Sequence, residues 1–245
     1  MINAFTGSID SWGQLILDGL ASSGCSPVLY DLPGHGIRSE DLDFSHFSLE
    51  KTLSEIERAG VWPTGLIGYS MGGRIALQFA AAYPARVNRL ILESASPGLA
   101  TEAERLERQI QDEALASEIE SQGVEEFVRR WEALPIFESQ LQLPSHVWTE
   151  QHAKRLRNTE DGLASALRGL GTGALPSLWD VLPDILIPTL IIVGELDSKF
   201  VGIGQQMAAA LPESQLLIVP GAGHNVHLEQ PQHWLKAVGR FMSST

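Results

Sequence analysis

Ser70, Asp197 and His224 are the side chains whose types and settings point most directly to chemistry. Ser70 is the centre of Gly68-Tyr69-Ser70-Met71-Gly72, a G-x-S-x-G pattern. An apolar run at 64–67 precedes it and a helix-forming run at 74–80 follows. Strand, tight turn and helix in that order form a nucleophile elbow: the flanking glycines relieve crowding, and the strained serine projects its hydroxyl. A serine hydroxyl is a weak nucleophile or base until an imidazole takes its proton and a carboxylate fixes that imidazole. Two later segments offer both groups. The apolar run 189–193 leads through Gly194 and Glu195 to Asp197, and the run 216–219 leads through Gly221 and Gly223 to His224. Both side chains follow predicted strands, which sets them at the same sheet edge as Ser70. Glu195 is the rival acid and His227 the rival imidazole.

The elements that must position these groups are legible as alternating apolar and amphipathic runs, the pattern of an α/β fold with a mostly parallel sheet. Strands are predicted at 27–30, 65–68, 87–92, 189–193 and 215–219, and helices at 11–21, 48–59, 71–82, 204–211 and 231–242. From 98 to 182 the alternation stops, and Glu-, Arg-, Gln-, Ala- and Leu-rich runs predict helices at 102–117, 123–133, 145–156 and 163–170. The expected division is a core of residues 1–97 and 183–245 with a helical lid, 98–182, inserted over the strand ends. Ligands of open α/β sheets bind outside those carboxyl ends.

Composition narrows the function classes. A net charge of −13 over 245 residues, without a basic run, argues against a nucleic-acid partner. An anionic substrate would therefore need a locally basic pocket. The single cysteine, Cys25, excludes an intrachain disulfide framework and a cysteine-rich zinc site. No apolar run approaches the ~20 residues that span a bilayer, so no membrane partner is expected. The start, Met1-Ile2-Asn3-Ala4, has no signal-type segment, which gives a cytoplasmic expectation.

The order serine, acid, histidine, with Asp31-Leu32-Pro33-Gly34-His35-Gly36 after an early strand, resembles the α/β-hydrolase superfamily over nearly the whole chain. Pro33 and Gly34 read as loop-shaping residues, and His35 as a backbone hydrogen-bond partner away from substrate. Where members of that superfamily carry His-Gly, this chain has Asn3-Ala4-Phe5. The Phe5 amide is the implied oxyanion-hole donor, joined by the Met71 amide. The resemblance also implies an initial hairpin ahead of this loop, for which the chain has only Met1 and Ile2. Either a reduced sheet or a missing natural beginning, with lower stability, is the expectation.

Arginines refine the reading. Arg74 lies one helical turn after Ser70 and can face the same cavity, while Arg108 and Arg157 lie in the insert. A guanidinium binds carboxylates bidentately. On composition alone, the insert arginines are better explained as surface residues paired with the many nearby glutamates. Ser70-Met71-Gly72-Gly73-Arg74, Glu93-Ser94-Ala95-Ser96-Pro97-Gly98-Leu99 and Glu107-Arg108-Gln109 are similar to one family. So are Trp131-Glu132-Ala133-Leu134-Pro135-Ile136-Phe137, Gly194-Glu195-Leu196-Asp197-Ser198-Lys199-Phe200 and Gly221-Ala222-Gly223-His224-Asn225-Val226-His227. These motifs resemble the 2-succinyl-6-hydroxy-2,4-cyclohexadiene-1-carboxylate synthases of menaquinone and phylloquinone biosynthesis.

That resemblance implies a lyase that eliminates pyruvate from a succinylated enolpyruvyl cyclohexene carboxylate, with Ser70, His224 and Asp197 as the base assembly. It implies that Arg74, Arg108 and Arg157 hold the carboxylates of a small-molecule substrate, and that Tyr69 and Trp131 line the pocket. Such a triad needs no cofactor and no metal. Two other classes remain open at the level of sequence: a C–C or ester hydrolase of a small carboxylated substrate, and a non-catalytic ligand-binding protein on the same scaffold. Oligomeric state is not encoded legibly.

Overall fold

A computed structural model describes residues 1–40 and 43–243. In chain order its helices and strands are α1 (Gly13–Ser22), α2 (Leu49–Ala59), β1 (Thr64–Tyr69), α3 (Met71–Ala82) and β2 (Val87–Glu93). Then follow α4 (Glu102–Gln122), α5 (Val124–Glu132), α6 (Ser145–Arg155) and α7 (Glu160–Leu170). The chain returns to the sheet with β3 (Thr189–Gly194), α8 (Ser198–Ala210) and β4 (Ser214–Val219), and ends with α9 (Val226–Glu229) and α10 (Pro231–Ser243).

The four strands form a parallel sheet in the order β1-β2-β3-β4. Both faces are covered, as a parallel sheet requires. Alternate strand residues divide between two apolar layers, following the two-residue period of a strand. Leu66, Leu90, Leu92, Ile191 and Val193 pack with residues of α2, α3 and α8. Ile67, Tyr69, Ile91, Leu190 and Ile192 pack with Trp12, Ile16, Leu20, Trp234, Val238 and Phe241 of the α1 and α10 side. Each fully buried aliphatic or aromatic side chain contributes about 1.5–3 kcal/mol relative to exposure.

Segment 27–30 departs from the strand expected there. It has one isolated bridge, Tyr30 to Ile2, and Ile2 bridges onward to Gly68. Pro27 has no N–H to donate to a ladder, and the neighbouring backbone meets this segment only at Met1 and Ile2. Helix α8 begins at Ser198, six residues before the start expected from sequence, because the Asp197 carboxylate caps it by accepting the Phe200 N–H at 3.3 Å. Helix α4 likewise runs beyond 117 to Gln122, where Gly123 at φ 86° ends it.

Helices α4–α7 lie between β2 and β3 and are stitched to the sheet layer. Leu178 N–H donates to the Pro97 carbonyl at 2.8 Å, and Gln78 Nε2 donates to the Pro176 carbonyl at 2.8 Å. Asn158 Nδ2 donates to the Thr6 carbonyl at 3.0 Å. Residues that follow the carboxyl ends of β1, β2, β3 and β4 line one cavity together with residues of this helical block.

Candidate active site

Strand β1 delivers Ser70 into a backbone conformation that only a tight elbow imposes, φ 52° and ψ −110°. A non-glycine residue there is strained, and the surrounding structure must hold it. Ser70 N–H donates to the Glu93 carbonyl at the end of β2, at 2.8 Å. A β-carbon on Gly68 would overlap the Gly72 carbonyl, and one on Gly72 would overlap the Ile2 carbonyl. Glycine is therefore required at both positions for β1, α3 and the first residues of the chain to approach.

His224 Nε2 lies 3.0 Å from Ser70 Oγ, and His224 Nδ1 lies 2.7 Å from Asp197 Oδ2. Both side chains are almost fully buried: the exposed fractions are 5% for His224 and 8% for Asp197. With Nδ1–H donating to the carboxylate, Nε2 is left to accept the serine proton. The loop around His224 is held by Glu229, whose carboxylate accepts Gly223 N–H at 2.6 Å and Asn225 N–H at 3.2 Å. Burial raises the Glu229 carboxyl above its ordinary value, and those amides pull it down.

The rival residues are placed elsewhere. Glu195 accepts Gly221 N–H at 3.0 Å on the surface, and His227 is bonded to Glu93. His35 donates from Nδ1 to the Pro33 carbonyl at 3.0 Å and is not on the cavity wall.

The triad opens on a cavity of about 630 Å³ lined from the sheet ends and the helical insert, including Phe5, Tyr69, Met71, Arg74, Arg108 and Trp131. Asn3 orders the loop carrying Phe5: its Oδ1 accepts Ala4 N–H at 2.7 Å, and its Nδ2 donates to the Ser8 carbonyl at 2.8 Å. The Met71 amide sits at the N-terminus of α3, where the helix dipole favours negative charge. The Trp131 ring, on the cavity wall, meets Phe5 edge-on at 5.4 Å and packs against Phe127 and Phe137. Burial pushes the Tyr69 phenol well above its ordinary value, with Glu93 adding to the shift.

Arg74 makes no ion pair among the described residues, and its Nε is buried without a hydrogen-bond partner. Burial, helped by the nearby Arg108 charge, lowers it to about 10, so it stays cationic at neutral pH. Arg108 also lines the cavity, with Nε 2.7 Å from Asp112 Oδ1. Arg157 does not join them. It lies past the end of α6, more than half exposed, and reaches Asp10 Oδ2 at 3.1 Å. The cavity cation on that helix is instead Arg155, 10% exposed, with Nη1 2.6 Å from Glu132 Oε1 and its guanidinium 5.3 Å from the Phe137 ring centroid. The signal that could have found it is helical spacing: Gln151 and Arg155 are four apart, and both line the cavity. Lys199, two residues after Asp197, is a further cation on the wall that the sequence reading passed over. Among the described residues no cluster of three His, Cys, Asp or Glu side chains offers a metal set.

Residues 1–238 match the profile of the alpha/beta hydrolase family. Over 99% of its length the chain is 42% identical to a Bacillus subtilis protein provisionally named 2-succinyl-6-hydroxy-2,4-cyclohexadiene-1-carboxylate synthase, covering 89% of that protein. The chain belongs to this synthase family of the alpha/beta hydrolases. A Salmonella paratyphi C synthase of the same name is 31% identical over 94% of the chain and 87% of its own length. Among solved structures, MenH from S. aureus superposes with a TM-score of 0.84 at 34% identity, covering 98% of this chain and 91% of that one. An esterase from Exiguobacterium antarcticum, at 19% identity and a TM-score of 0.80, shares the fold.

Proposed function

We propose that this chain is the lyase its curated relatives are named for, forming 2-succinyl-6-hydroxy-2,4-cyclohexadiene-1-carboxylate by eliminating pyruvate, a step of menaquinone biosynthesis. The observation that carries the reading is Arg74: a half-buried cation that makes no ion pair among the described residues, one helical turn from Ser70 on the same cavity wall. A hydrolase of neutral esters has no use for a guanidinium without an ion pair there. A substrate bearing several carboxylates does, because it supplies the missing charge.

In the proposed reaction His224 takes the Ser70 proton, and the serine oxygen abstracts the proton on the carbon beside the succinyl ketone. The electron pair passes into the ketone, and the Phe5 and Met71 amides stabilise the resulting enolate oxygen. When the enolate collapses, the ring C–O bond of the enolpyruvyl ether breaks. The three-carbon unit leaves as the enolate of pyruvate, which recovers a proton and becomes pyruvate. That proton is the one His224 holds, while Ser70 keeps the proton taken from the substrate carbon, and no acyl-enzyme forms. Asp197 holds the imidazole in its Nδ1–H tautomer throughout. Arg74, Arg108 and Arg155 hold carboxylates, Trp131 and Tyr69 supply the apolar wall, and the insert 98–182 acts as the lid. The proposed setting is the cytoplasm.

Pyruvate release from the enolpyruvyl substrate, followed by a coupled assay, tests the reading. The wild type should release one pyruvate per ring product, and Ser70→Ala should lose at least about 10³-fold in kcat. Faster turnover of simple aryl esters with serine acylation, and no pyruvate, would reassign the chain to the hydrolases.

A further inference from the structure

Below the Ser70–His224–Asp197 line lies a second carboxylate–imidazole pair. Glu93, the last residue of β2, is fully buried, and so is its partner His227. The Glu93 carboxylate accepts three donors: His227 N–H at 3.0 Å, His227 Nδ1–H at 2.9 Å and Trp234 Nε1–H at 2.8 Å. The main-chain carbonyl of the same residue accepts the Ser70 N–H at 2.8 Å. Glu93 thus touches both arms of the catalytic assembly, the elbow through its backbone and the His224 segment through its side chain.

Folding alone does not call for a carboxylate here. Its β2 neighbours Leu90, Ile91 and Leu92 are apolar and fully buried, and an apolar residue at 93 would avoid the desolvation of a charge. Neither is Glu93 a proton relay. Among the described residues His227 Nε2 has no hydrogen-bond partner, so no side chain links the pair to His224 or to the cavity. What the pair does is fix a ring. His227 lies against Trp12, with ring centroids 4.5 Å apart, and edge-on to Tyr69 at 5.1 Å. Tyr69 in turn meets His224 at 5.5 Å. His227 is three positions after His224, so a shift of the buried ring is transmitted through the start of α9 to the imidazole whose Nε2 must stay 3.0 Å from Ser70 Oγ.

We propose that Glu93 is a positioning residue that, through His227, registers the His224 loop against the Ser70 elbow. This inference rests on the triad assignment made under the proposed function. It does not require that the substrate be the enolpyruvyl compound.

Three variants test it: Glu93→Gln, His227→Asn, which keeps a donor where Nδ1 stands, and His227→Leu, which does not. Each is checked for folding by thermal melting, then assayed for kcat and KM. The downfield proton NMR signal of the His224 Nδ1–H is recorded on resting enzyme. Glu93→Gln and His227→Leu should lower kcat about tenfold or more with KM within twofold, since misplacement of a base by a fraction of an ångström acts on the chemical step. Both should shift or broaden the His224 signal, while His227→Asn keeps the signal and most of kcat. A purely structural pair would lower the melting midpoint in all three and leave kcat per folded molecule and the His224 signal at wild-type values. That outcome overturns the proposal. If Glu93→Gln does not fold, the contrast between the two His227 variants decides alone: equal kcat and equal signals overturn it. Should the wild type release no pyruvate, the proposed function fails while the NMR comparison still reads the positioning.

Discussion

Arg74 and Arg157 have opposite surroundings, and under the proposed function the difference predicts what each does to substrate affinity. Arg74 is half-buried on the cavity wall with no carboxylate paired to it, whereas Arg157 is exposed and occupied by Asp10. A hydrogen bond to a charged group contributes about 1.5–3 kcal/mol. Arg74→Ala should therefore raise KM for the polycarboxylate substrate roughly 10- to 100-fold. Arg157→Ala should leave KM within about twofold, as for an exposed ion pair. Steady-state kinetics on the two variants checks this, and a KM in Arg157→Ala that rises like that of Arg74→Ala would contradict the assignment. The contrast also marks where reading residues from sequence stops. Ser70, Asp197 and His224 are legible because each sits a fixed short distance beyond an apolar strand run, so backbone geometry dictates where they meet. Arg74 is legible by the same logic, one turn along a helix whose start is known. Arg155 and Arg157 differ only in which side of a helix end they occupy, and that depends on where α6 stops at Arg155. Glu93 falls just past the strand expected at 87–92, and its burial appears only once His227 of α9 and Trp234 of α10 pack against it.

Elements are held at the elbow by close backbone approach, which makes glycine tolerance there position-specific. A β-carbon on Gly68 would strike the Gly72 carbonyl and the Gly73 α-carbon, both main-chain atoms that cannot rotate away. Gly68→Ala must separate β1 from α3, and overpacking of this kind costs about 1–3 kcal/mol. Gly202, inside α8, is the counterexample: nothing lies within 4 Å of an added β-carbon, and its φ is not in the left-handed region. Gly202→Ala should stabilise by up to about 1 kcal/mol through helix propensity. Urea midpoints moving in opposite directions for the two variants is the expected result; a fall in both would show that α8 tolerates no side chain at 202. The same close approaches explain which elements the sequence reveals. Strand β3 and the carboxyl-terminal halves of β1 and β2 are buried and read as apolar runs, while β4, last in the sheet order, keeps its apolar run Leu216–Val219 although it is only partly buried. The segment 27–30 has a strand's composition, but its bridge is a single residue long, and pairing length is not a property of the segment itself. The early start of α8 is a tertiary effect of another kind, because the same Asp197 carboxylate that orients His224 also caps the helix.

Across the whole molecule, the seam between the sheet layer and the helical insert runs through residues 33–39. There the Thr159 hydroxyl donates to the Ser39 carbonyl at 2.5 Å, and a β-carbon on Gly34 would overlap the Gly162 carbonyl. His35 is buried in this seam, edge-on to Phe5 at 5.7 Å, and its Nε2 has no partner among the described residues. Among the described residues no acceptor faces a proton on that nitrogen. Burial accordingly lowers its pKa from 6.5 to about 4, against a smaller opposing effect of the Pro33 carbonyl. The sign follows from proton binding. Between about pH 6.5 and pH 4 the unfolded chain takes up a proton at His35 that the folded one refuses, so stability falls as the pH falls through that window. A displacement of this size corresponds to about 3 kcal/mol once the pH reaches 4, a large share of the 5–15 kcal/mol that holds a typical domain together. His35→Asn retains a donor for the Pro33 carbonyl and removes the titration. Unfolding free energies measured in urea at pH 7 and pH 4.5 should therefore drop by about 2–3 kcal/mol more in the wild type than in the variant. Carboxylates that titrate over the same range are common to both proteins and cancel in the comparison. Equal drops would mean that the seam opens enough to hydrate a charged His35, and that the insert is less firmly seated on the sheet than its hydrogen bonds require.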